Sequence, residues 1–195
     1  MITRESNSKN LTFNVIDVET ANVARRTICE IGIVHVEDGQ VRDEWRTLID
    51  PEERFDPWNV EIHGIDEEVV KGSSTLPEMW DDLSSRLRGS VLVSHSSFDR
   101  TAFEQATDYY ELEQLQVTWL DSVRIARRTW PDRYGRRGYG LKSIAADLGI
   151  VFEHHRALDD AKAAAQIVLK ACEITNLDID EWLARVKKPI SKYSN

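Results

Sequence analysis

Four acidic residues and one histidine have the spacing of a site for divalent cations. Asp17 and Glu19 lie two residues apart in the segment VIDVET, and Asp99 follows VLVSHSSF. Asp160 stands five residues after His155. Residues two apart on a strand point to the same face, and hard divalent cations prefer oxygen ligands. Two such cations about 4 Å apart suit in-line attack of water on a phosphodiester. The set therefore predicts a metal-dependent nuclease.

The first three carboxylates also have ordinary structural explanations when each is taken alone. Asp17 and Glu19 would suit a solvated strand end, although a charge at the end of an apolar strand costs free energy unless it is paired. Asp99 precedes a helical pattern, where the helix dipole favours a carboxylate. The prediction of a metal site therefore rests on the whole set and not on any one member.

The last part of the set contains two ambiguities. Asp159 competes with Asp160, because neighbours on a helix are rotated by about 100° and only one of them faces a given site. His155 is preceded by His154, which would suit a surface pair. As a neutral imidazole near pH 7, His155 would instead accept a proton from water and act as a general base.

The elements that position these residues follow a recognisable order. Three segments rich in β-formers are joined by short connections, with a turn at Gly39, and they predict an antiparallel meander: 11–18, 27–36 and 41–50. An irregular stretch, 51–60, follows. Two short strands, 90–95 and 117–120, then alternate with helical patterns that cover 65–70, 76–89, 98–110, 121–130, 141–150, 155–175 and 179–188. This order predicts an α/β domain with a mixed five-stranded sheet and helices on its faces.

Length and composition frame the chain as one globular domain. It has 195 residues, and 25 basic against 34 acidic residues give a net charge of −9. That charge argues against broad electrostatic binding of nucleic acid, although several acids would be metal ligands. Cys29 and Cys172 fit no zinc spacing.

With no apolar run of membrane length, we expect a cytoplasmic protein without a membrane partner. The expected organisation is a flexible 1–10, a nuclease domain over 11–175 and a helical extension of the same domain over 176–195.

One segment of the chain is strongly basic, although the net charge of the whole chain is negative. Residues 124–142 carry seven basic side chains against Asp132 alone, with Trp130, Tyr134 and Tyr139 interleaved. Arginines with aromatic residues suit a single nucleic-acid strand, through phosphate contacts and base stacking. The alternative is a solvated helix and loop. We expect Arg136 and Arg137 to contact substrate.

The motifs together resemble the DEDDh branch of the DnaQ-like 3′–5′ exonucleases, which have the RNase H-like fold. The motif D-x-E-T stands at 17–20, S-H-S-S-F-D at 94–99 and H-x-A-x-x-D-A at 155–161. The last one selects Asp160 over Asp159, and it selects the histidine branch because Arg156 stands where the tyrosine branch has Tyr. The segments I-H-G-I (62–65), D-S-V-R-I-A-R-R (121–128) and L-K-S-I-A (141–145) extend the resemblance.

This resemblance implies a mechanism and a set of contacts. Two Mg²⁺ or Mn²⁺ ions would be held by the four carboxylates, with Asp17 bridging, and His155 would act as the base. The product would be a nucleoside 5′-monophosphate released from a 3′ end. The implied substrate contacts are the backbone of Val18, Glu19 and Thr20 and the side chains of Thr20, His63 and Phe98. For Phe98 core packing, and for His63 a loop hydrogen bond, are the alternatives.

Departures from the family pattern leave the substrate open. Ala21-Asn22 replaces the usual Thr-Gly, and His95 precedes Asp99 by four positions instead of five. These features resemble small stand-alone bacterial members, and without a clamp-binding tail no stable association with a replicase is expected. Single-stranded DNA is the favoured partner, and an RNase T-like or oligoribonuclease-like activity on RNA is the alternative. A 3′-end-binding accessory module, an endonuclease of the same superfold and a homodimer also stay open.

Overall fold

The computed structural model describes residues 9–134 and 138–188. Its centre is a five-stranded mixed sheet in the order β3-β2-β1-β4-β5. Strands β1 to β3 are antiparallel, whereas β4 runs parallel to both β1 and β5. The strands are β1 (Phe13–Thr20), β2 (Ile28–Glu37), β3 (Gln40–Leu48), β4 (Val91–Ser94) and β5 (Thr118–Asp121). The predicted mixed sheet, a meander followed by parallel strands, is confirmed.

The meander closes through a two-residue turn between β2 and β3. Asp38 and Gly39 both have positive φ angles, 52° and 75°. Two such residues form the turn whose twist matches that of the flanking strands, which is why an Asp-Gly pair is favoured there. The antiparallel register that follows places Asp17 opposite Gly32 and Glu19 opposite Glu30.

Helices cover both faces of the sheet. They are α1 (Pro57–His63), α2 (Glu67–Val70), α3 (Leu76–Leu87), α4 (Phe98–Tyr109), α5 (Ser122–Thr129), α6 (Leu141–Leu148), α7 (Ala157–Thr175) and α8 (Ile179–Val186). Gly149 ends α6 in the left-handed region, at φ 71°, as its position after a helical pattern predicts. None of the helices in the described part of the chain is long and apolar enough to cross a membrane.

The prediction that residues 51–60 are irregular is wrong at their end. Helix α1 begins at Pro57, because the Asp56 side chain accepts a hydrogen bond from the Trp58 amide at 2.9 Å. Proline is favourable at the first helical position, since its missing N–H would have no partner there. The helix ends at Gly64, at φ 74°. This short helix brings its residues to the end of β1.

Alternate residues of β1 face two different helical layers. Phe13 and Val15 pack with the cluster formed by α5, α6, α7 and α8. Ile16 and Val18 pack with α3 and α4. Because side chains alternate along a strand, Asp17 and Glu19 continue the row that faces α7.

The structure describes only part of the two expected terminal segments. Residues 1–8, which form most of the expected flexible N-terminus, and 189–195 lie outside the described residues. Within the expected C-terminal extension, Trp182 of α8 is fully buried and joins the same core as α7. The first part of that extension therefore packs onto the domain.

Candidate active site

One open cleft of about 630 Å³ lies where β1 and β4 end. Every predicted site residue within the described ranges lines it: Asp17, Val18, Glu19, Thr20, His63, Phe98, Asp99, His155 and Asp160. Arg136 and Arg137, also predicted, lie outside the described residues. The fold therefore gathers three motifs that are far apart in sequence.

Three carboxylates converge at the floor of this cleft. Asp17, Glu19 and Asp160 each offer an oxygen, and these atoms all lie within 4.8 Å of one another. Asp99 approaches from the first turn of α4, and its Oδ1 accepts the Val18 amide at 3.1 Å. That hydrogen bond ties α4 to β1. A donor set of carboxylate oxygens fits hard divalent cations such as Mg²⁺ or Mn²⁺.

Burial and mutual repulsion raise the pKa values of these carboxyl groups. Burial, followed by the charges of Asp99 and Asp160, raises the pKa of Asp17 well above its ordinary value. Burial, with the charge of Asp160 next, raises the pKa of Glu19 to about 8. Burial raises the pKa of Asp99 to about 7 against the hydrogen bond from Val18, which lowers it. Nearby cations would relieve this repulsion, so the electrostatics also fit a metal site.

The start of α7 is held against β2 by two features that the motifs did not reveal. Glu30 is fully buried, and its Oε2 accepts the Ala157 amide at 2.9 Å. Its Oε1 accepts a hydrogen bond from Arg46 Nε at 2.5 Å. A Cβ atom added to Gly32 would lie only 2.3 Å from the backbone of Ala157. The only signal in the sequence was a charged residue and a glycine inside the apolar segment TICEIGIV.

The loop before α7 presents both histidines to the cleft. His154 Nδ1 lies 2.9 Å from Asp160 Oδ1, and the His155 amide donates to Asp160 Oδ2 at 2.9 Å. The two rings stack with centroids 3.8 Å apart. His154 therefore contacts Asp160, which the interpretation as a surface pair did not anticipate.

The ring of His155 stands at the edge of the carboxylate cluster. His155 Nδ1 lies 3.8 Å from Glu19 Oε1, and the side chain is 42% exposed. Burial and the neighbouring His154 lower the pKa of His155 below its ordinary value of 6.5. The imidazole is therefore neutral near pH 7, the form that accepts a proton.

The end of β1 is fixed by residues of α1. Asn59 Nδ2 donates to the Thr20 carbonyl at 2.7 Å. His63 Nδ1 accepts the Ile65 amide at 3.0 Å, so the proton sits on Nε2, which lies 3.2 Å from the same carbonyl. The ring of His63 thus makes the loop hydrogen bonds that were the alternative to a substrate contact.

Phe98 both packs and lines the cleft. Its ring packs against the α3–α4 core cluster, and the guanidinium of Arg25 stands 5.0 Å from its centroid on the cleft side. Core packing, the alternative named from sequence, therefore applies to part of the ring. Arg25 itself was missed, because an arginine in the connection between two strands carries no distinctive signal.

An exposed apolar rim on the mouth of the cleft was also missed. Trp58 is 68% exposed, Val23 88% and Ile62 38%, and all three line the cleft. Large exposed apolar side chains grouped at one site commonly mark a binding surface. The signal in the sequence was the Asp56-Pro57-Trp58 helix start, which places the tryptophan in a first turn.

The expected stacking role of the aromatic residues in 124–142 is wrong for two of the three. Trp130 is only 6% exposed and Tyr134 only 4%, because both belong to the core beneath α5 and α6. Neither ring can stack on a base. Tyr139 is partly buried, and its hydroxyl donates to the Trp130 carbonyl at 2.8 Å.

Comparison with known proteins places this geometry in a family. The RNase_T family model, described as exonuclease, matches residues 15–168. DNA polymerase III PolC-type from Thermotoga petrophila is 32% identical over 174 residues, which are 87% of this chain and 12% of the polymerase. The same polymerase from Clostridium perfringens is 32% identical over 157 residues, 79% of this chain and 11% of the polymerase. The chain therefore spans about an eighth of the length of these relatives.

Solved structures share the fold. Exonuclease X in complex with 5′ overhanging duplex DNA has a TM-score of 0.71 at 22% identity, covering 89% of this chain and 98% of that one. The nuclease domain of 3′hExo, a DEDDh family member bound to rAMP, has a TM-score of 0.69 at 17% identity, covering 86% and 94%. The fold, the carboxylate cluster and the family match agree: this chain belongs to the RNase_T exonuclease family.

Proposed function

We propose that the chain is a 3′–5′ exonuclease that hydrolyses single-stranded DNA and releases nucleoside 5′-monophosphates. The observation that carries this proposal is the convergence of Asp17, Glu19 and Asp160, with Asp99 and His155 beside them, in one open cleft. Divalent cations would relieve the repulsion that raises the pKa values of these carboxyl groups, and such cations promote phosphodiester hydrolysis.

Asp17, Glu19, Asp99 and Asp160 would hold two divalent cations, Mg²⁺ or Mn²⁺. When bound, such ions activate water and neutralise the charge that develops on the leaving 3′ oxygen. The protein's part is to fix the ligands. The hydrogen bonds from the Val18 amide to Asp99 and from the His155 amide to Asp160 hold two of the four carboxylates in place.

His155 is the general base in this proposal. Its neutral form at pH 7 accepts the proton that the attacking water loses. The ring is half exposed and lies beside Glu19, so it reaches both solvent and the cluster. The positive φ of His155, 66°, turns the loop so that its amide and its ring both face the cleft.

The substrate strand would lie along the end of β1. Hydrogen bonds hold the backbone of this segment at both ends, since the Val18 amide donates to Asp99 and both Asn59 and His63 contact the Thr20 carbonyl. Phe98 and Trp58 offer apolar surface to bases, and Arg25 offers a cation to a phosphate. We propose that Trp58 stacks on a base near the 3′ end, since base–aromatic stacking contributes about 1–3 kcal/mol.

DNA is the proposed substrate because the relatives are named DNA polymerases. One structural neighbour was solved with DNA and another with rAMP, so RNA is the second candidate. The same relatives favour an association with a polymerase, which the sequence motifs did not lead us to expect. The homodimer and the cytoplasmic location stay predictions.

The test uses 5′-labelled single-stranded DNA and RNA of equal sequence with Mg²⁺, Mn²⁺ or EDTA. We expect a ladder that shortens from the 3′ end and disappears with EDTA. Asp160→Ala is expected to abolish the ladder. The matched control is Asp159→Ala, because Asp159 is half exposed and its Oδ1 lies 3.9 Å from Lys162 Nζ. Retarded but uncut substrate in both metals would favour the 3′-end-binding module instead.

A further inference from the structure

A cationic face lies where α5 and α8 end side by side. We use this name for six basic side chains, all exposed except the partly buried Arg128: Arg124, Arg127, Arg128, Arg185, Lys187 and Lys188. The whole chain carries a net charge of −9. This local excess of positive charge therefore contrasts with the negative charge of the whole chain.

Arg128 joins the two helices at the centre of this face. Its guanidinium donates to the Arg124 carbonyl at 3.0 Å and to the Lys188 carbonyl at 2.5 Å. Burial, and then the charges of Arg124 and Arg185, lower the pKa of Arg128. The arginines are therefore close enough to repel one another, and Arg128 has a structural role that its neighbours lack.

The described part of the chain places no carboxylate close to the cationic face. Across residues 9–134 and 138–188, none of its six side chains lies within 4.0 Å of a carboxylate, whereas nearby Arg133 pairs with Asp147 at 2.6 Å. The acids of α8 stand at its opposite end, where Asp178 and Glu181 cap the helix. Helix C-termini favour cations within the last turn, which does not account for all six together. A surface of this kind attracts a polyanion.

Helix α5 connects the cationic face to the wall of the cleft. The first residue of α5, Ser122, lies 2.8 Å from the Nδ1 of His95, which lines the cleft. Arg127 stacks 5.5 Å from the ring of Tyr139, and His95 Nε2 lies 2.9 Å from the Tyr139 carbonyl. At 1.5 Å per residue, Ser122 and Arg128 are about 9 Å apart along the helix. A strand that leaves the cleft along α5 would therefore meet the face within a few nucleotides.

We propose that the cationic face binds the phosphates of the substrate strand several nucleotides to the 5′ side of the scissile bond. The proposal rests on the proposed function, since it assigns this surface to the same substrate. Its consequence is that affinity depends on substrate length. A trinucleotide occupies the cleft alone, whereas a 20-mer also reaches the face and gains its charge contacts.

The test neutralises four exposed members and leaves Arg128 in place. The variant Arg124→Gln/Arg185→Gln/Lys187→Gln/Lys188→Gln is compared with the wild type by fluorescence anisotropy on a labelled single-stranded DNA 20-mer in EDTA, where no cleavage occurs. We expect a dissociation constant on the order of tenfold higher and a salt slope lower by about 3, from about 0.7 per contact. Trinucleotide hydrolysis with Mg²⁺ should keep its kcat/KM.

The control is Lys71→Gln/Arg88→Gln, which removes two exposed cations near α2 and α3, half as many as the cationic-face variant removes. It should leave the 20-mer affinity unchanged. Equal affinity and salt slope in the cationic-face variant and the control would overturn the proposal. Polyglutamate serves as a probe for an acidic protein partner. If the cationic-face variant keeps its affinity for the 20-mer but no longer binds polyglutamate, the proposal is also overturned, and the face binds an acidic protein instead. Length-dependent binding without any hydrolysis would refute the proposed hydrolysis but would still support binding of the strand's phosphates by the cationic face.

Discussion

Replacing Gly32 with alanine should displace the start of α7 and slow catalysis. The added Cβ would lie 2.3 Å from Ala157 C and Leu158 N, and both are backbone atoms that no rotamer change can move. Real Cβ contacts are essentially never shorter than 3.0 Å, so α7 must shift by at least the difference, about 0.7 Å. Because α7 carries Asp160, the carboxylate cluster opens by a similar amount.

The magnitude follows from how sharply catalysis depends on position. A misplacement of about 1 Å can cost on the order of 100-fold in rate, so we expect kcat of Gly32→Ala to fall about 10- to 100-fold. Overpacking should also reduce the free energy of unfolding by about 1–3 kcal/mol. The assay is single-turnover hydrolysis of a 5′-labelled oligonucleotide at saturating enzyme, with urea unfolding measured in parallel.

The control is Gly140→Ala. Gly140 also has an ordinary backbone conformation, at φ −68°, and a Cβ there would meet nothing within 4 Å. It should keep its kcat, with a loss of stability below about 1 kcal/mol, since alanine is a poorer N-cap than glycine. If Gly32→Ala hydrolyses within twofold of the wild-type rate, the close approach of α7 to β2 does not set the geometry of the cluster.

Three further predictions address the apolar rim of the cleft, the ion pair between Arg46 and Glu30, and the cation site. Trp58→Ala should raise KM about tenfold for single-stranded DNA. Ile174→Ala, which changes an exposed apolar side chain outside the cleft, should leave KM unchanged. Equal KM values for the two variants would refute the stacking of Trp58 on a base. Arg46→Ala leaves the buried Glu30 carboxylate without its cation. Because the Arg46 side chain is 44% exposed and solvent screens the pair, the expected loss in urea unfolding is about 1–3 kcal/mol. An unchanged free energy of unfolding would contradict this. In EDTA, the midpoint of thermal unfolding should fall as pH rises from 6.5 to 8. The reason is that Glu19, with a folded-state pKa of about 8, and Asp99, at about 7, bind protons that the unfolded chain has released. This window lies above the range in which the lowered pKa values of His63, His95 and His155 make stability rise with pH. Excess Mg²⁺ should restore the midpoint, and a flat profile in EDTA would refute the electrostatic account.

The sheet and the longest helix could be predicted from the sequence because the local signals in those segments agreed. The Asp-Gly turn, the apolar strands and the alanine-rich run of α7 each favour one structure without help from distant residues. Asp17, Glu19, Asp99, His155 and Asp160 were found because their spacing is distinctive as a set. Their convergence in one cleft then follows from the order of the strands.

Other features depend on contacts that no local pattern encodes. Helix α1 was predicted as irregular because a short helix has little periodicity, and its start depends on the cap at Asp56. Trp130 and Tyr134 were assigned to the surface because they stand among arginines, yet tertiary packing buries them. Glu30 was overlooked because its partners, Arg46 and Ala157, are distant in sequence.

The most direct test of the central claim is the identity of the first product. A single-stranded DNA labelled on its 3′-terminal nucleotide would be incubated with the chain and Mg²⁺, and the labelled product would be separated at early times. We predict that all early label appears as a nucleoside 5′-monophosphate and that EDTA prevents its release. Label appearing first in longer oligonucleotides would show internal or 5′-end cleavage, and it would contradict a 3′–5′ exonuclease.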